Sequence, residues 1–170
     1  MKRERVLEIA TYVIVFLAMG VASPSIGKLL DRLYFPYQRV FADKVLVLFV
    51  GVVVAIVGLA FVLWTIRLFK VVGHGTPNPK LPPKELVITG PYKFVRNPMA
   101  FGGLLFLLGE ALFYYSPSLS GIAILYGIIL YFNAMLIEEP ELRKRFGKPY
   151  EEYIRDVPRF FPNPFPRRKK

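Results

Sequence analysis

The stretch Gly90-Pro-Tyr-Lys-Phe-Val-Arg-Asn-Pro-Met-Ala-Phe-Gly-Gly103 carries the chain from a polar, Pro-rich segment into a strongly apolar one within a few residues. Arg96 and Asn97 stand at that junction, directly before Pro98. The order reads as a helix start, because Asn is a good cap and Pro tolerates the first helical position. A second junction answers it, where an apolar run ends at Glu138-Glu139-Pro140. Two spans of this kind place polar groups of opposite character at one membrane face. That arrangement suits a small zwitterionic or cationic ligand beside a greasy reaction partner.

The composition agrees with a membrane protein. Hydrophobic residues make up 54% of 170 residues and the mean hydropathy is +0.42, too apolar for an ordinary soluble domain of this size. The formal charge is +11. The basic residues lie between and beyond the apolar runs, so membrane orientation explains them better than nucleic acid does. With no Cys, disulfides, thiolate metal sites and thiol nucleophiles are excluded, and a single His argues against a His-based metal site.

Four segments read as membrane helices: Val6–Ala22, Val45–Phe69, Pro98–Tyr115 and Leu119–Ile137. The second rises roughly 37 Å, enough to span with tilt. Ser116-Pro117-Ser118 alone separates the last two, which predicts a tight antiparallel hairpin. Gly102, Gly103 and Gly109 are expected to face Gly121 and Gly127 across it, since small residues let membrane helices approach closely. The Lys/Arg asymmetry predicts that both termini and the 70–97 loop are cytoplasmic. Residues 23–44 read as an external interfacial segment. The loop holds five prolines, with a possible strand at Glu85–Thr89. Leu142, Phe146, Tyr150, Tyr153, Ile154 and Val157 recur at helical spacing, broken near Gly147, which predicts two amphipathic helices on the inner membrane surface. Arg167–Lys170 reads as a basic end near anionic headgroups. The expected fold is a single all-α domain over residues 1–170, a polytopic bundle of about four transmembrane helices with a cytoplasmic Pro-rich loop.

Several side chains carry chemistry. Arg96 beside a helix N-terminus offers an anion site, or else contacts lipid headgroups. Glu138 and Glu139 end the fourth span, where the macrodipole disfavours negative charge. Arg143 or Lys144 would compensate them, or a bound ammonium would. Glu110 lies about 18 Å along the third span by helical rise. An ionisable group at that depth is functional, or is hydrogen-bonded to a Tyr or to Asn133. Gly102 either packs against a neighbouring helix or makes room for a ligand. His74 reads as a solvated loop residue, and no catalytic base is identified.

Gly75-Thr-Pro77, Pro82-Pro-Lys-Glu-Leu-Val87, Gly90–Met99, Glu138-Glu-Pro-Glu-Leu142, Phe146-Gly147, Tyr150, Tyr153 and Val157-Pro-Arg-Phe160 together resemble the isoprenylcysteine carboxyl methyltransferase-like family of integral membrane methyltransferases. The resemblance covers about residues 73–162. It implies that S-adenosylmethionine binds in a cytoplasm-facing pocket formed largely by the last hairpin and the C-terminal segment. It makes Tyr92, Arg96, Asn97, Pro98, Gly102, Glu138, Glu139 and Tyr150 pocket residues. It also implies a lipophilic small-molecule acceptor entering from the membrane. Asn97 stands where the family has a His, and the last span carries Asn133 and no Arg. Those departures bear on a prenylcysteine acceptor more than on the cofactor. A carboxylate acceptor would need no base. A sterol-type reductase binding NADPH and a membrane scaffold without activity are the alternative readings.

Overall fold

The computed structural model describes residues 2–35, 44–77 and 81–162. The chain forms α1 (Lys2–Leu17), a π-helical segment Ala18–Ala22, α2 (Ser23–Tyr34), α3 (Lys44–Val71), a 3-10 turn Gly90–Lys93, α4 (Pro98–Phe113), α5 (Pro117–Asn133), a second π segment Ala134–Glu138, α6 (Glu139–Phe146) and α7 (Lys148–Asp156). Among the described residues there is no strand. Glu85–Thr89 is therefore not the strand its β-branched run suggested, because no neighbouring segment offers it a ladder. The basic end Arg167–Lys170 and residues 36–43 of the expected external segment lie outside the described residues.

This is an all-helical, integral membrane architecture. Among the described residues three helical runs are long and apolar enough to cross a bilayer: Val6–Tyr34, Lys44–Val71 and Pro117–Phe146. Their surfaces carry exposed Ile9, Phe16, Phe49, Ile56, Ile124 and Ile128, which a bilayer covers without cost. The fourth apolar helix, α4, has 16 residues. It rises about 24 Å, short of a hydrocarbon core of about 30 Å.

Two runs extend further than the sequence reading placed them, and one rule explains both. Each π segment ends two residues before a proline, Pro24 or Pro140. A proline ring inside an α-helix clashes with the carbonyl four residues back, here that of Gly20 or Leu136. Widening the helix relieves the clash. Ser23 N–H donates to Ala18 O and Glu139 N–H donates to Ala134 O, both five residues back. The helix thus continues through each proline. Residues 23–34 extend the first helix instead of forming a separate interfacial segment. The Glu138-Glu139 pair sits inside a helical run, so the expected macrodipole penalty at a helix C-terminus does not arise there.

The chain clusters into two compact units. The first comprises Met1–Leu59 and Gly103–Tyr126. Ser116 caps α5, accepting from Leu119 N–H at 3.0 Å, with Pro117 at the first helical position. Asp31 Oδ1 accepts from Ser118 N–H at 3.0 Å, and Tyr115 hydroxyl donates to the Lys44 carbonyl. These bonds tie α2 and the start of α3 to the hairpin turn. Gly103 meets the Tyr126 hydroxyl of α5, as a hairpin contact should. Gly109 does not face α5. A Cβ there would lie 2.5 Å from Ala55 N and 2.7 Å from Gly51 O, so it seats α3 against α4 at near backbone contact. Gly121 faces open space.

The second unit comprises Ala60–Gly102 and Gly127–Lys170. Tyr150, Tyr153 and Val157 form its buried cluster, with Leu86, Leu142, Phe146 and Ile154 packed on it. The amphipathic stripe expected in α6 and α7 is present. However, it buries against the chain's own loop residue Leu86 and within itself, and this cluster supplies the apolar partner that the sequence reading assigned to the membrane surface. Gly147 separates the two helices at φ 57°, a left-handed conformation that glycine adopts without the penalty a Cβ imposes.

Candidate functional site

The second unit builds a charged cluster around the N-terminus of α4. The 3-10 turn Gly90–Lys93 feeds into Val95, which is 1% exposed. The next residues are held by the C-terminal segment. Arg96 N–H donates to Pro158 O at 2.9 Å, and Asn97 N–H donates to Arg159 O at 3.2 Å. The Asn97 amide also donates to Arg159 O, at 3.3 Å, while its own carbonyl accepts from Phe101 N–H at 3.0 Å to begin α4. Asn97 therefore ties α4 to the C-terminal segment. Pro98 is fully buried at the helix start. Gly102 is buried one turn further along α4.

The second π segment turns Glu139 inward and leaves Glu138 outside. Glu139 is 5% exposed. Its Oε1 lies 2.9 Å from Arg96 Nη1 and 2.5 Å from Arg159 Nε, and its Oε2 accepts from Arg159 Nη2 at 3.1 Å. Arg159 Nη1 also donates to the Tyr131 hydroxyl at 3.0 Å. The compensating charge for Glu139 is thus neither Arg143 nor Lys144. Arg143 pairs with Glu151 instead. Glu138 is exposed and accepts from the Asn133 amide at 2.7 Å.

Arg96 is the most constrained of these groups. Its side chain is 11% exposed, yet Nε and Nη1 are buried with no hydrogen-bond partner. Nη1 is close to Glu139 without its hydrogen pointing at the oxygen. Two guanidiniums face the one Glu139 carboxylate, so Arg96 and Arg159 share a single buried counter-charge. Tyr150, 1% exposed, lies against Arg96. Burial pushes its phenol above the usual range, with Glu139 adding to the effect and Arg96 opposing it. Tyr153 donates to the Tyr92 carbonyl at 2.7 Å, and Phe69 stacks on the Tyr92 ring. Burial also raises Tyr92, with help from Tyr153 and Glu138, and raises Tyr153. Glu139 makes the Arg159 guanidinium hold its proton more firmly than usual.

The eight expected pocket residues all belong to this unit. Arg96, Asn97, Glu139 and Tyr150 are joined by the contacts above. Tyr92 and Glu138 adjoin them, while Pro98 and Gly102 shape the start of α4. Arg159 and Tyr153 are additional members. Arg159 lies in Val157-Pro-Arg-Phe160, a stretch notable in the sequence, but only folding reveals that it shares Glu139 with Arg96. His74 sits away from the cluster, 3.8 Å from Glu85 on exposed loop. Among the described residues no group of His, Asp and Glu side chains could hold a metal ion.

A family model described as PEMT, phospholipid methyltransferase, matches residues 46–149. No curated protein and no solved structure matches the chain.

Proposed function

The chain belongs to the phospholipid methyltransferase family, a membrane methyltransferase family related to the isoprenylcysteine carboxyl methyltransferases, and on that premise we propose that it transfers a methyl group from S-adenosylmethionine to a lipophilic acceptor. The observation that carries the reading is Arg96. Its buried Nε and Nη1 lack hydrogen-bond partners, and it shares its one buried counter-charge, Glu139, with Arg159. A buried guanidinium left in that state is unfavourable, and a carboxylate is the planar two-oxygen partner that fits it. The methionine portion of the cofactor supplies one.

Arg96, supported by Glu139, Tyr150 and the first turn of α4, would hold that carboxylate. Glu138, exposed and positioned by Asn133, would take the ammonium. Phe69 behind Tyr92 and the Tyr153 bond in front of it fix the wall of the site. When bound, the cofactor offers an electrophilic methyl on a positive sulfur. The chain's part is to orient the acceptor in line with that methyl and to exclude water. The acceptor is best read as a lipophilic carboxylate entering from the bilayer. Such a nucleophile needs no proton removed, and Tyr92, Tyr150 and Tyr153 are all held protonated by burial. The Lys/Arg asymmetry supports a cytoplasmic site with both termini on that side.

Calorimetry on the purified full chain tests the cofactor. S-adenosylhomocysteine binding without NADPH binding is expected, and the reverse would overturn the reading. Incubation of membranes with methyl-labelled cofactor then identifies the acceptor. Label stable to base would exclude a methyl ester and redirect the assignment to an amine or hydroxyl lipid.

A further inference from the structure

The first unit holds a second polar feature at membrane depth, separate in chemistry from the charged cluster. Gly51, Val52, Ala55 and Ile56 of α3, with Gly109, Glu110 and Phe113 of α4 and the adjoining Tyr114, line an open groove of about 220 Å³. All its other walls are apolar or aromatic side chains and glycine, so Glu110 is its one carboxyl group. Glu110 is 8% exposed. Its Oε2 lies 2.8 Å from Ser23 Oγ, correcting the expectation of a Tyr or Asn133 partner. Ser23 is on α2, and it reaches Glu110 because the run from α1 continues through the first π segment.

The hydrogen count at Ser23 is informative. Ser23 Oγ also lies 2.6 Å from the Met19 carbonyl. A hydroxyl has one hydrogen, and a carbonyl has none to give. Two full, two-centre hydrogen bonds form here when Ser23 donates to Met19 O and a Glu110 carboxylic acid donates from Oε2 to Ser23 Oγ. Oε1 is then a carbonyl oxygen, with no hydrogen-bond partner among the described residues, on a side chain that lines the groove.

We propose that this groove binds the polar end of a neutral, hydroxyl-bearing membrane lipid, whose O–H donates to Glu110 Oε1. A neutral acceptor in apolar surroundings favours a neutral donor, since a lipid ammonium would lose its hydration without gaining a counter-charge. The size agrees. An open groove of about 220 Å³ has room for a hydroxyl and its first carbons. The remaining chain stays in the bilayer beside exposed Val52, Ile56 and Phe113. The assignment does not depend on the methyl-transfer reading.

The test uses the full chain in nanodiscs, with oleyl alcohol and its methyl ether as probes and native mass spectrometry as the readout. The ether keeps the oxygen and the tail but lacks the donor. Wild type should bind the alcohol roughly five- to tenfold more tightly, the ratio of one net hydrogen bond. Glu110→Gln should keep that preference, because an amide still donates to Ser23 and still presents a carbonyl to the groove. Glu110→Leu should lose it. Val52→Trp, on the exposed rim, should fill the groove and weaken both probes. Equal affinity of wild type for alcohol and ether would overturn the proposal, as would loss of the preference in Glu110→Gln or tight alcohol binding by Val52→Trp. If Glu110→Leu does not fold, the other two variants still decide.

Discussion

Two adjacent carboxylates should respond in opposite ways to the same substitution. Glu139→Gln keeps shape and removes the charge shared by Arg96 Nη1 at 2.9 Å, Arg159 Nε at 2.5 Å and Arg159 Nη2 at 3.1 Å. The two Arg159 hydrogen bonds to this carboxylate contribute about 1.5–3 kcal/mol each, and breaking a buried pair costs about 3–5 kcal/mol in total. The Arg159 side chain is 23% exposed and can regain water, whereas Arg96 at 11% cannot. The net loss should therefore be about 3 kcal/mol, or roughly 6–12 °C in Tm for a chain of this length. Trp64 is the only tryptophan and adjoins Gly90 in the same unit, so its fluorescence reports the transition in detergent. Glu138→Gln removes an exposed carboxylate bonded to Asn133 and should leave Tm within about 1–2 °C. Its effect should appear in S-adenosylhomocysteine and S-adenosylmethionine affinity alike, because both keep the ammonium. A Glu139→Gln protein as stable as wild type, or a Glu138→Gln protein with unchanged affinities and a large Tm loss, would refute this division of roles.

Arg96→Ala should weaken S-adenosylhomocysteine binding by about 1.5–3 kcal/mol in calorimetry, and unchanged affinity would assign Arg96 to structure alone. Tyr153→Phe removes a buried bond to the Tyr92 carbonyl and should lower stability by about 1–2 kcal/mol at neutral pH. Tyr92, Tyr150 and Tyr153 have folded-state values raised above the ordinary 10.0. Their contribution is complete below about pH 10 and is lost as pH rises beyond it, so Tm should fall above pH 10, less steeply in Tyr153→Phe. Cysteines engineered at positions 72 and 118 should label from opposite membrane sides, and labelling from one side would refute cytoplasmic termini.

Much of this architecture is legible in the sequence, because lipid imposes it locally. Apolar runs of membrane length, the Asn97-Pro98 start, the short turn at Ser116-Pro117-Ser118 and the helical stripe from Leu142 to Val157 each follow from neighbouring residues and a bilayer that leaves backbone groups few alternatives. The sequence also marked the side chains that form the charged cluster. Folding decided their pairing. Pro140 looked like a helix end, but the five-residue hydrogen bond before it carried the helix onward, turned Glu139 inward and left Glu138 exposed. Arg159, 63 positions from Arg96 in the chain, became its partner in holding Glu139. Gly109 met α3 instead of the hairpin partner, and Glu110 met Ser23, because packing across distant segments is set by shape and proton count that no local pattern encodes. The α6–α7 stripe announced that it would be buried, and only the loop folded against it determined that protein would do the burying.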